Sequence, residues 1–304
     1  MRLITFEANG QPHWGAQQGD YAVDLNLARA LLLAARSREP QYLAGSLLEF
    51  IQKGKATWNL ARETLDFLGD RFFDGVMFPL SRVKLLAPVP RPPKIVAVGH
   101  NYLAHVQEQN KELPKYPILF AKYPSSVVGP YDVIHLHPSE TQQVDYEGEL
   151  GVIIGKIASG VSAAEALDYV FGYTVVNDVS ARDLQFNPYY QGQWVRGKSL
   201  DTYCPFGPVI VTADQVPDVQ ALPVRTVLNG ATMQDMSTGQ MIFDVRRLIE
   251  FISNGITLEP GDLICTGTPP GVGHHRKPAV YLKPGDVVQV EIEGLGKLRN
   301  EVQD

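Results

Sequence analysis

From residue 144 to residue 155 the sequence reads Val144-Asp145-Tyr146-Glu147-Gly148-Glu149-Leu150-Gly151-Val152-Ile153-Ile154-Gly155, which predicts a buried strand that begins with carboxylates. Alternate residues of a strand share one face, so Asp145, Glu147 and Glu149 are expected to project together. Carboxylates beside a buried run are costly to desolvate unless protons or a cation neutralise them. The pattern indicates a metal site, with a solvated strand end as the simpler explanation of the motif taken alone.

A second apolar run, Tyr169 to Asp178, predicts another strand that ends on a carboxylate. The residues Ser180-Ala181-Arg182-Asp183 fit a capping box, so a helix is expected to begin there and Asp178 to lie at a strand-to-helix corner. Glu147, Glu149 and Asp178 then supply three oxygen ligands. Oxygen ligation suits Mg²⁺, Mn²⁺ or Ca²⁺ better than Zn²⁺.

Composition narrows the class of protein. The chain has 304 residues, of which 44% are hydrophobic, a net charge of −6 and no block of basic residues, so a nucleic-acid or membrane surface is not expected and a small molecule is the expected partner. No apolar run is long enough to span a membrane, and the N-terminal run is too short for a signal peptide. Cys204 and Cys265 have no metal-binding or redox spacing. These features predict a cytoplasmic protein with reduced thiols.

The chain divides at a proline-rich linker, Val83 to Pro93. Residues 1–85 predict a small α+β domain and residues 86–304 a second domain. The first is expected to contain two strands, Arg2 to Phe6 and Tyr21 to Leu25. It is also expected to contain three helices: Leu27 to Arg36, Ser46 to Lys53 and Thr57 to Leu68. Asp24 or Asn26 is expected to cap the first helix.

The second domain opens with a short buried strand, Ile95 to Gly99, followed by a segment in which His105 and Glu108 are three residues apart. On a helix these two side chains touch, and a carboxylate beside an imidazole supports a general base. An ordinary surface pair is the alternative. The polar, proline-marked residues up to 117 predict a lid over a site.

Further motifs carry weaker signals. Lys122 ends an apolar strand and is expected either to reach solvent or to face an anion. His135 and His137 have the spacing of metal ligands but no third nitrogen or sulfur ligand in view. Residues Gln193 to Asp201 are predicted to form a loop. Residues Gly192 to Ser199 formally match G-x-x-x-x-G-K-S, but a phosphate loop requires a strand directly before and a helix directly after, and neither is predicted. We therefore do not expect nucleotide triphosphate binding.

Five motifs in order resemble the fumarylacetoacetate hydrolase superfamily: residues 99–105, the Glu147-Gly148-Glu149 pair, residues 177–183, Gly197-Lys198-Ser199 and residues 266–273. The resemblance spans residue 94 to the C-terminus. It implies an α+β fold, a β-rich mixed roll or sandwich with flanking helices, joined to the small N-terminal α+β domain. It also implies a homodimer with one Mg²⁺ or Mn²⁺, Ca²⁺ being possible.

The resemblance implies roles for matching residues. It assigns the metal to Glu147, Glu149 and Asp178, and water activation to His105 and Glu108. Lys198 is the third catalytic residue that it implies, and Asp145 has no assigned role. The residues expected near the substrate's carboxylate and oxyanion are Lys122, Arg182, Gln185 and Thr268. Where the family often has an apolar residue or arginine, this chain has His100, which leaves the substrate open.

The function that follows is metal-dependent hydrolysis of the C–C bond of a 1,3-dicarbonyl acid of the acylpyruvate or fumarylpyruvate type, with water activated by His105 and Glu108. Two alternatives use the same metal site: decarboxylation of oxaloacetate, and isomerisation of 2-hydroxyhepta-2,4-diene-1,7-dioate. A third is a binding protein stabilised by the ion. The acyl group and the choice between Mg²⁺ and Mn²⁺ stay open.

Overall fold

The computed structural model describes residues 1–190 and 192–304, and the side chain of Tyr190 is outside the description. The α-helices are Leu25–Ala35 (α1), Leu47–Lys53 (α2), Lys55–Leu68 (α3), Leu103–Glu108 (α4), Arg182–Gln185 (α5), Trp194–Lys198 (α6) and Val245–Ser253 (α7).

Strands make up most of the remaining regular structure. The first nine are Arg2–Ala8 (β1), Gln11–Gln18 (β2), Tyr21–Asp24 (β3), Met77–Pro79 (β4), Lys84–Leu86 (β5), Ile95–Gly99 (β6), Ile118–Lys122 (β7), Val127–Val128 (β8) and Ile134–His135 (β9). The others are Val144–Asp145 (β10), Gly148–Ile154 (β11), Val170–Asn177 (β12), Ser180–Ala181 (β13), Cys204–Thr212 (β14), Pro223–Leu228 (β15), Ala231–Ser237 (β16), Leu263–Cys265 (β17), Val287–Ile292 (β18) and Gly296–Gln303 (β19).

A large mixed sheet organises the described residues. It has twelve strands in the order β4-β3-β2-β1-β14-β12-β11-β17-β6-β7, with β5 paired to β1 and β8 to β14. A five-stranded sheet, β16-β15-β18-β19-β9, packs beside it, and β10 pairs with β13. The predicted β-rich α+β fold with flanking helices is confirmed.

The N-terminal strands belong to the same sheet as the rest of the chain. Leu3 in β1 is in register with Ile210 in β14, and the two strands are antiparallel. Trp14 and Phe50 pack in one hydrophobic cluster with Phe171 and other residues of the central strands. The division of the chain at residue 85 stays a prediction, and the part before it is joined to the part after it through both hydrogen bonds and a shared core.

Two local predictions were wrong. The helix after Asp178 begins at Arg182, without a side-chain cap, because Ser180 Oγ donates instead to the Asp178 carbonyl (2.9 Å) and Asp183 accepts from Gln142 N (2.8 Å). The segment predicted as a loop around Lys198 contains helix α6. Strand β2 was missed, since its polar sequence has little alternation.

The central strands bring the two acidic motifs together. In the β11–β12 pair Gly148 is opposite Asn177 and Glu149 is opposite Val176, so the two acidic motifs meet at one end of the pair. Apolar clusters on both faces hold these strands in register. In the described part of the chain, no helix is long and apolar enough to cross a membrane.

We predict that Asp24→Ala destabilises the fold by about 1–2 kcal/mol, since Asp24 Oδ1 caps α1 through Leu27 N (2.9 Å) and Oδ2 lies 2.7 Å from His13 Nδ1. Urea unfolding followed by circular dichroism measures the difference. The control is Asp20→Ala, which removes an exposed carboxylate of equal charge. Equal midpoints for the two variants would contradict the assigned cap.

Candidate active site

Three buried carboxylates meet where the β11–β12 pair ends. Ligand oxygens of Glu147, Glu149 and Asp178 lie within 4.8 Å of one another. Asp178 N donates to the Glu147 carbonyl (2.8 Å), and Glu147 N donates to Asn177 Oδ1 (3.0 Å), so the backbone fixes their spacing. The structure therefore brings together the three residues that the sequence marked as metal ligands.

Gly148 makes this spacing possible. A Cβ atom at this position would stand 2.2 Å from Thr226 Oγ1 and 2.9 Å from Val290 Cγ1 of the neighbouring sheet. Only a residue without a side chain allows β11 to pass this close to the five-stranded sheet. The glycine between the two glutamates thus has a packing reason as well as a place in the motif.

Two lysines occupy the carboxylate cluster. Lys198 Nζ lies 2.6 Å from Glu147 Oε2 and 2.7 Å from Asp178 Oδ2, and Lys122 Nζ lies 2.7 Å from Asp178 Oδ1. Burial favours the neutral amine of Lys198, but Asp178 and Glu147 outweigh it and raise its pKa. Lys198 is therefore a fixed positive charge. Lys122 also donates to the Lys198 carbonyl, which joins β7 to α6.

Asp145 does not join the metal-ligand cluster as the strand pattern predicted. The strand is interrupted at Tyr146 and Glu147, between β10 and β11, so the alternation of faces is lost. Asp145 instead accepts hydrogen bonds from Arg182 Nε (2.9 Å) and Gly273 N (2.8 Å). Arg182 Nη2 pairs with Glu147 Oε1 (2.7 Å), so Asp145 orients the arginine that contacts the cluster.

Glu149 is the carboxylate without a cation. It is 1% exposed and accepts a hydrogen bond from Gly267 N (2.9 Å), and within the described residues it makes no ion pair. Burial, with the nearby charges of Asp178 and Glu147, raises the pKa of Glu149 well above its usual range. A buried carboxylate in this state is stabilised by a positive charge. The donor set and this unmet charge fit a divalent cation held by oxygen ligands.

The predicted histidine–glutamate pair lies above the cluster. His105 and Glu108 are both on α4, and His105 Nδ1 donates to Glu108 Oε1 (2.6 Å). Gly271 N donates to Glu108 Oε2 (3.1 Å), which ties α4 to the loop after β17. The glutamate therefore fixes the tautomer in which His105 Nε2 carries a lone pair. This lone pair accepts a hydrogen bond from Gln109 Nε2 and is the group that would act as a base.

A narrow cleft, lined by both His105 and Glu147, connects the dyad with the carboxylate cluster. The predicted substrate residues that line it are Arg182, Gln185 and Thr268, together with Lys198. Lys122 is not among the lining residues, because it is buried beneath Asp178. His135 and His137 lie outside this cleft, on and just after β9, and do not join the carboxylate cluster.

Several residues of the cleft were missed from the sequence. Gln109 Nε2 donates to His105 Nε2 (2.8 Å), and His275 and Trp194 line the cleft. Gly99 was read only as a strand end, but a Cβ there would stand 2.8 Å from Trp194 Cζ3. The signal that could have identified His275 is its place in a pair of adjacent histidines directly after the Thr266-to-Gly273 motif.

Three comparisons with known proteins agree with this arrangement. The family model for the C-terminal part of fumarylacetoacetate hydrolase matches residues 94–303. A protein of Bos taurus named oxaloacetate tautomerase FAHD2A, mitochondrial, is 45% identical over 306 residues, which cover 99% of this chain and 91% of the relative.

Two solved structures share the fold over nearly the full length. The fumarylacetoacetate hydrolase of Exiguobacterium antarcticum has a TM-score of 0.81 at 41% identity, covering 100% of this chain and 99% of that one. The maleylpyruvate hydrolase of Sphingobium sp. SYK-6, solved with manganese(II) and pyruvate, has a TM-score of 0.76 at 30% identity, with the same coverage.

We predict that Glu149→Gln removes most of the thermal stabilisation that Mn²⁺ or Mg²⁺ provides. Metal at about 100 times its Kd stabilises a protein by about 2.7 kcal/mol, and this gain is lost when a charged ligand is replaced by a neutral amide. In EDTA the variant is expected to melt no lower than the wild type, because an unpaired buried carboxylate has been removed.

Thermal melting with EDTA and with each metal measures both effects. Glu140→Gln, which changes an exposed carboxylate paired with Arg196, serves as the control and should keep the full metal response. A Glu149→Gln variant that responds to metal like the control would show that Glu149 is not a ligand.

Proposed function

Because the chain belongs to the fumarylacetoacetate hydrolase family, we propose that it is an isomerase that interconverts the enol and keto forms of a 2-oxo dicarboxylic acid of the oxaloacetate type. The observation that carries the proposal is the position of His105, held by Glu108, at a cleft that is also lined by Glu147 of the carboxylate cluster. The similarity to the bovine tautomerase along nearly the whole chain supports the substrate class.

The charges of the site suit a dianionic substrate once a divalent cation is bound. Four carboxylates, Asp145, Glu147, Glu149 and Asp178, face the three cations Lys122, Lys198 and Arg182, which leaves one negative charge. A divalent cation reverses the sign of that total. When bound, it supplies a Lewis acid that polarises the 2-oxo group and stabilises negative charge on its oxygen.

The proton transfer is assigned to His105. Lys198 is held as an ammonium ion between Glu147 and Asp178, so it does not accept a proton at neutral pH. His105 Nε2 removes a proton from the carbon next to the 2-oxo group, and the imidazolium then returns this proton to the oxygen, so the enol forms and His105 is neutral again. The reverse sequence returns the keto form. Neither direction needs an attacking water.

The size of the cleft also favours a small substrate. The space enclosed within it is about 20 Å³, which holds little more than one water molecule. Phe120 and Trp194 form its apolar wall. A short acid therefore requires less opening of the cleft than one with a long acyl chain.

Hydrolysis of an acylpyruvate is the second candidate. The same dyad is able to deprotonate a water for attack on a carbonyl, and the similar Sphingobium protein is named a maleylpyruvate hydrolase. In this reaction the C–C bond breaks, and two acids are released. The products therefore separate the two candidates.

The finer assignments stay our proposals. We propose Mg²⁺ or Mn²⁺ as the metal, Arg182, Gln185 and Thr268 as substrate contacts, and Lys122 as a support for Asp178. A homodimer, a cytoplasmic location and a domain division at residue 85 also remain predictions. The name of the bovine relative places that protein in mitochondria.

The deciding experiment follows oxaloacetate, acetylpyruvate and fumarylpyruvate by ultraviolet absorbance with Mg²⁺, Mn²⁺ or EDTA. Metal-dependent acceleration of the loss of the oxaloacetate enol, without pyruvate, supports the tautomerase. Pyruvate from oxaloacetate indicates decarboxylation, and pyruvate from an acylpyruvate indicates hydrolysis. No acceleration with any of the three substrates would contradict the proposed reaction class.

We predict that His105→Ala lowers the tautomerisation rate by about 10²–10⁴-fold, the usual contribution of a positioned general base. Metal affinity should stay near that of the wild type, because His105 is not among the three carboxylate ligands. Stopped-flow absorbance gives the rate and calorimetry gives the metal affinity.

The matched control is His135→Ala, an exposed histidine outside the cleft. It should keep both the wild-type rate and the wild-type metal affinity. Full activity in His105→Ala would remove the histidine from the reaction, and loss of metal binding would show that its role was assigned wrongly.

A further inference from the structure

Six side chains form a closed ring beside the cleft, and we name this ring the collar. Four of its members line the cleft: His100, His105, Phe186 and His275. Neighbouring members contact each other in the order His100, Lys111, Phe186, His274, His275 and His105. The ring closes because the His105 and His100 centroids are 6.2 Å apart. The members come from α4 and its flanks, from the residue after α5 and from the loop after β17, so no single motif contains the collar.

Lys111 is the cation of the collar, and it faces no anion. Its Nζ lies 3.2 Å from His100 Nε2 and 5.4 Å from the centre of the Phe186 ring. Within residues 1–190 and 192–304 it makes no ion pair. Lys111 is exposed, and partial burial together with the charge of Arg182 lowers the pKa of its ammonium group. An anion placed here would gain a partner without displacing one.

Three imidazoles of the collar, those of His100, His274 and His275, are neutral hydrogen-bonding groups. Burial, together with nearby positive charge, lowers the pKa of His100 and of His275 to about 4, and it also lowers the pKa of His274. His274 Nδ1 is 2.8 Å from Tyr281 Oη, whereas His275 makes no hydrogen bond with the described residues. His275 lines the cleft and therefore has a free N–H to offer a ligand.

The backbone also holds His100 in place. His100 has φ of 55°, in the left-handed region that a residue with a side chain seldom adopts. Such conformations cluster at functional sites, where the surrounding structure compensates for the strain. His100 Nε2 is 3.1 Å from Gln109 Oε1, and Gln109 in turn contacts His105. The collar is thus connected to the proposed base.

We propose that the collar binds the second carboxylate of a 2-oxo dicarboxylic acid, with Lys111 and His275 making the contacts. This inference rests on the proposed function, in which the carboxylate cluster and its cation hold the 2-oxo acid end. An ammonium group and a neutral N–H donor form a suitable carboxylate site, since hydrogen bonds to charged groups are the stronger ones. The collar then selects diacids over acids with an apolar end.

The test measures binding and turnover in the full-length, metal-loaded protein. Lys111→Met removes the charge, Lys111→Arg keeps it, and His275→Phe keeps the ring but removes the N–H. Lys115→Met is the control, because it removes a charge from an exposed lysine in the same lid segment, outside the collar. Ligands are oxaloacetate, with two carboxylates, and pyruvate, with one.

We predict that Lys111→Met raises the KM and the calorimetric Kd for oxaloacetate by about 10- to 100-fold. This factor corresponds to the usual free energy of a hydrogen bond to a charged group. The kcat should change little, because the interaction is the same in the ground state and the transition state. Pyruvate binding should be unchanged. Lys111→Arg should recover most of the loss, and His275→Phe should show a smaller loss with the same selectivity.

Other outcomes overturn the inference. Equal losses of oxaloacetate binding and pyruvate binding would show that Lys111 acts on the lid as a whole. A Lys111→Met variant that behaves like Lys115→Met would show that the collar binds no carboxylate. Calorimetry measures oxaloacetate binding without requiring turnover, so it tests the collar independently of the proposed tautomerase activity. A wild-type protein that binds oxaloacetate through Lys111 without accelerating its tautomerisation would sustain the collar and reject the tautomerase.

Discussion

The ion pairs between Lys198 and the carboxylates of Glu147 and Asp178 are the interaction on which the site depends. All three groups are buried, and each charge is tolerated because the others are present. Glu149 stands beside them without a cation, and its pKa is raised because burial and the two neighbouring carboxylates oppose its ionisation. This imbalance explains why the site suits a divalent cation, and why that cation in turn prepares the cleft for an acidic substrate.

The fold supports this cluster by close approach of two sheets. Gly148 lets β11 pass against Thr226 and Val290, and the pairing of β11 with β12 sets Asp178 beside the glutamates. The apolar clusters on either side of the large sheet hold that register. The N-terminal strands extend the same sheet, so they stabilise the elements that carry the site although they contribute no residue to the cleft.

The cleft has two chemically distinct ends. The inner end consists of carboxylates and of cations that already form ion pairs with them. The outer end consists of neutral imidazoles and Lys111, whose charge is unpaired within the described residues. His105 lies between them, held by Glu108. In the reaction that we propose, this order places the proton-transfer group between the sites for the two ends of one small acid.

The sequence by itself indicated most strands of the core, the contact of His105 with Glu108, and Glu147, Glu149 and Asp178 as candidate metal ligands. The strands, the dyad and the two glutamates follow from local spacing on a strand or helix. It did not place Asp145 correctly, since the break at Tyr146 depends on pairing with β13. It also did not reveal the Ser180 contact, the helix around Lys198 or the collar. Those features join residues far apart in the chain, and only the tertiary structure decides which distant side chains share a cavity and which charges find a partner.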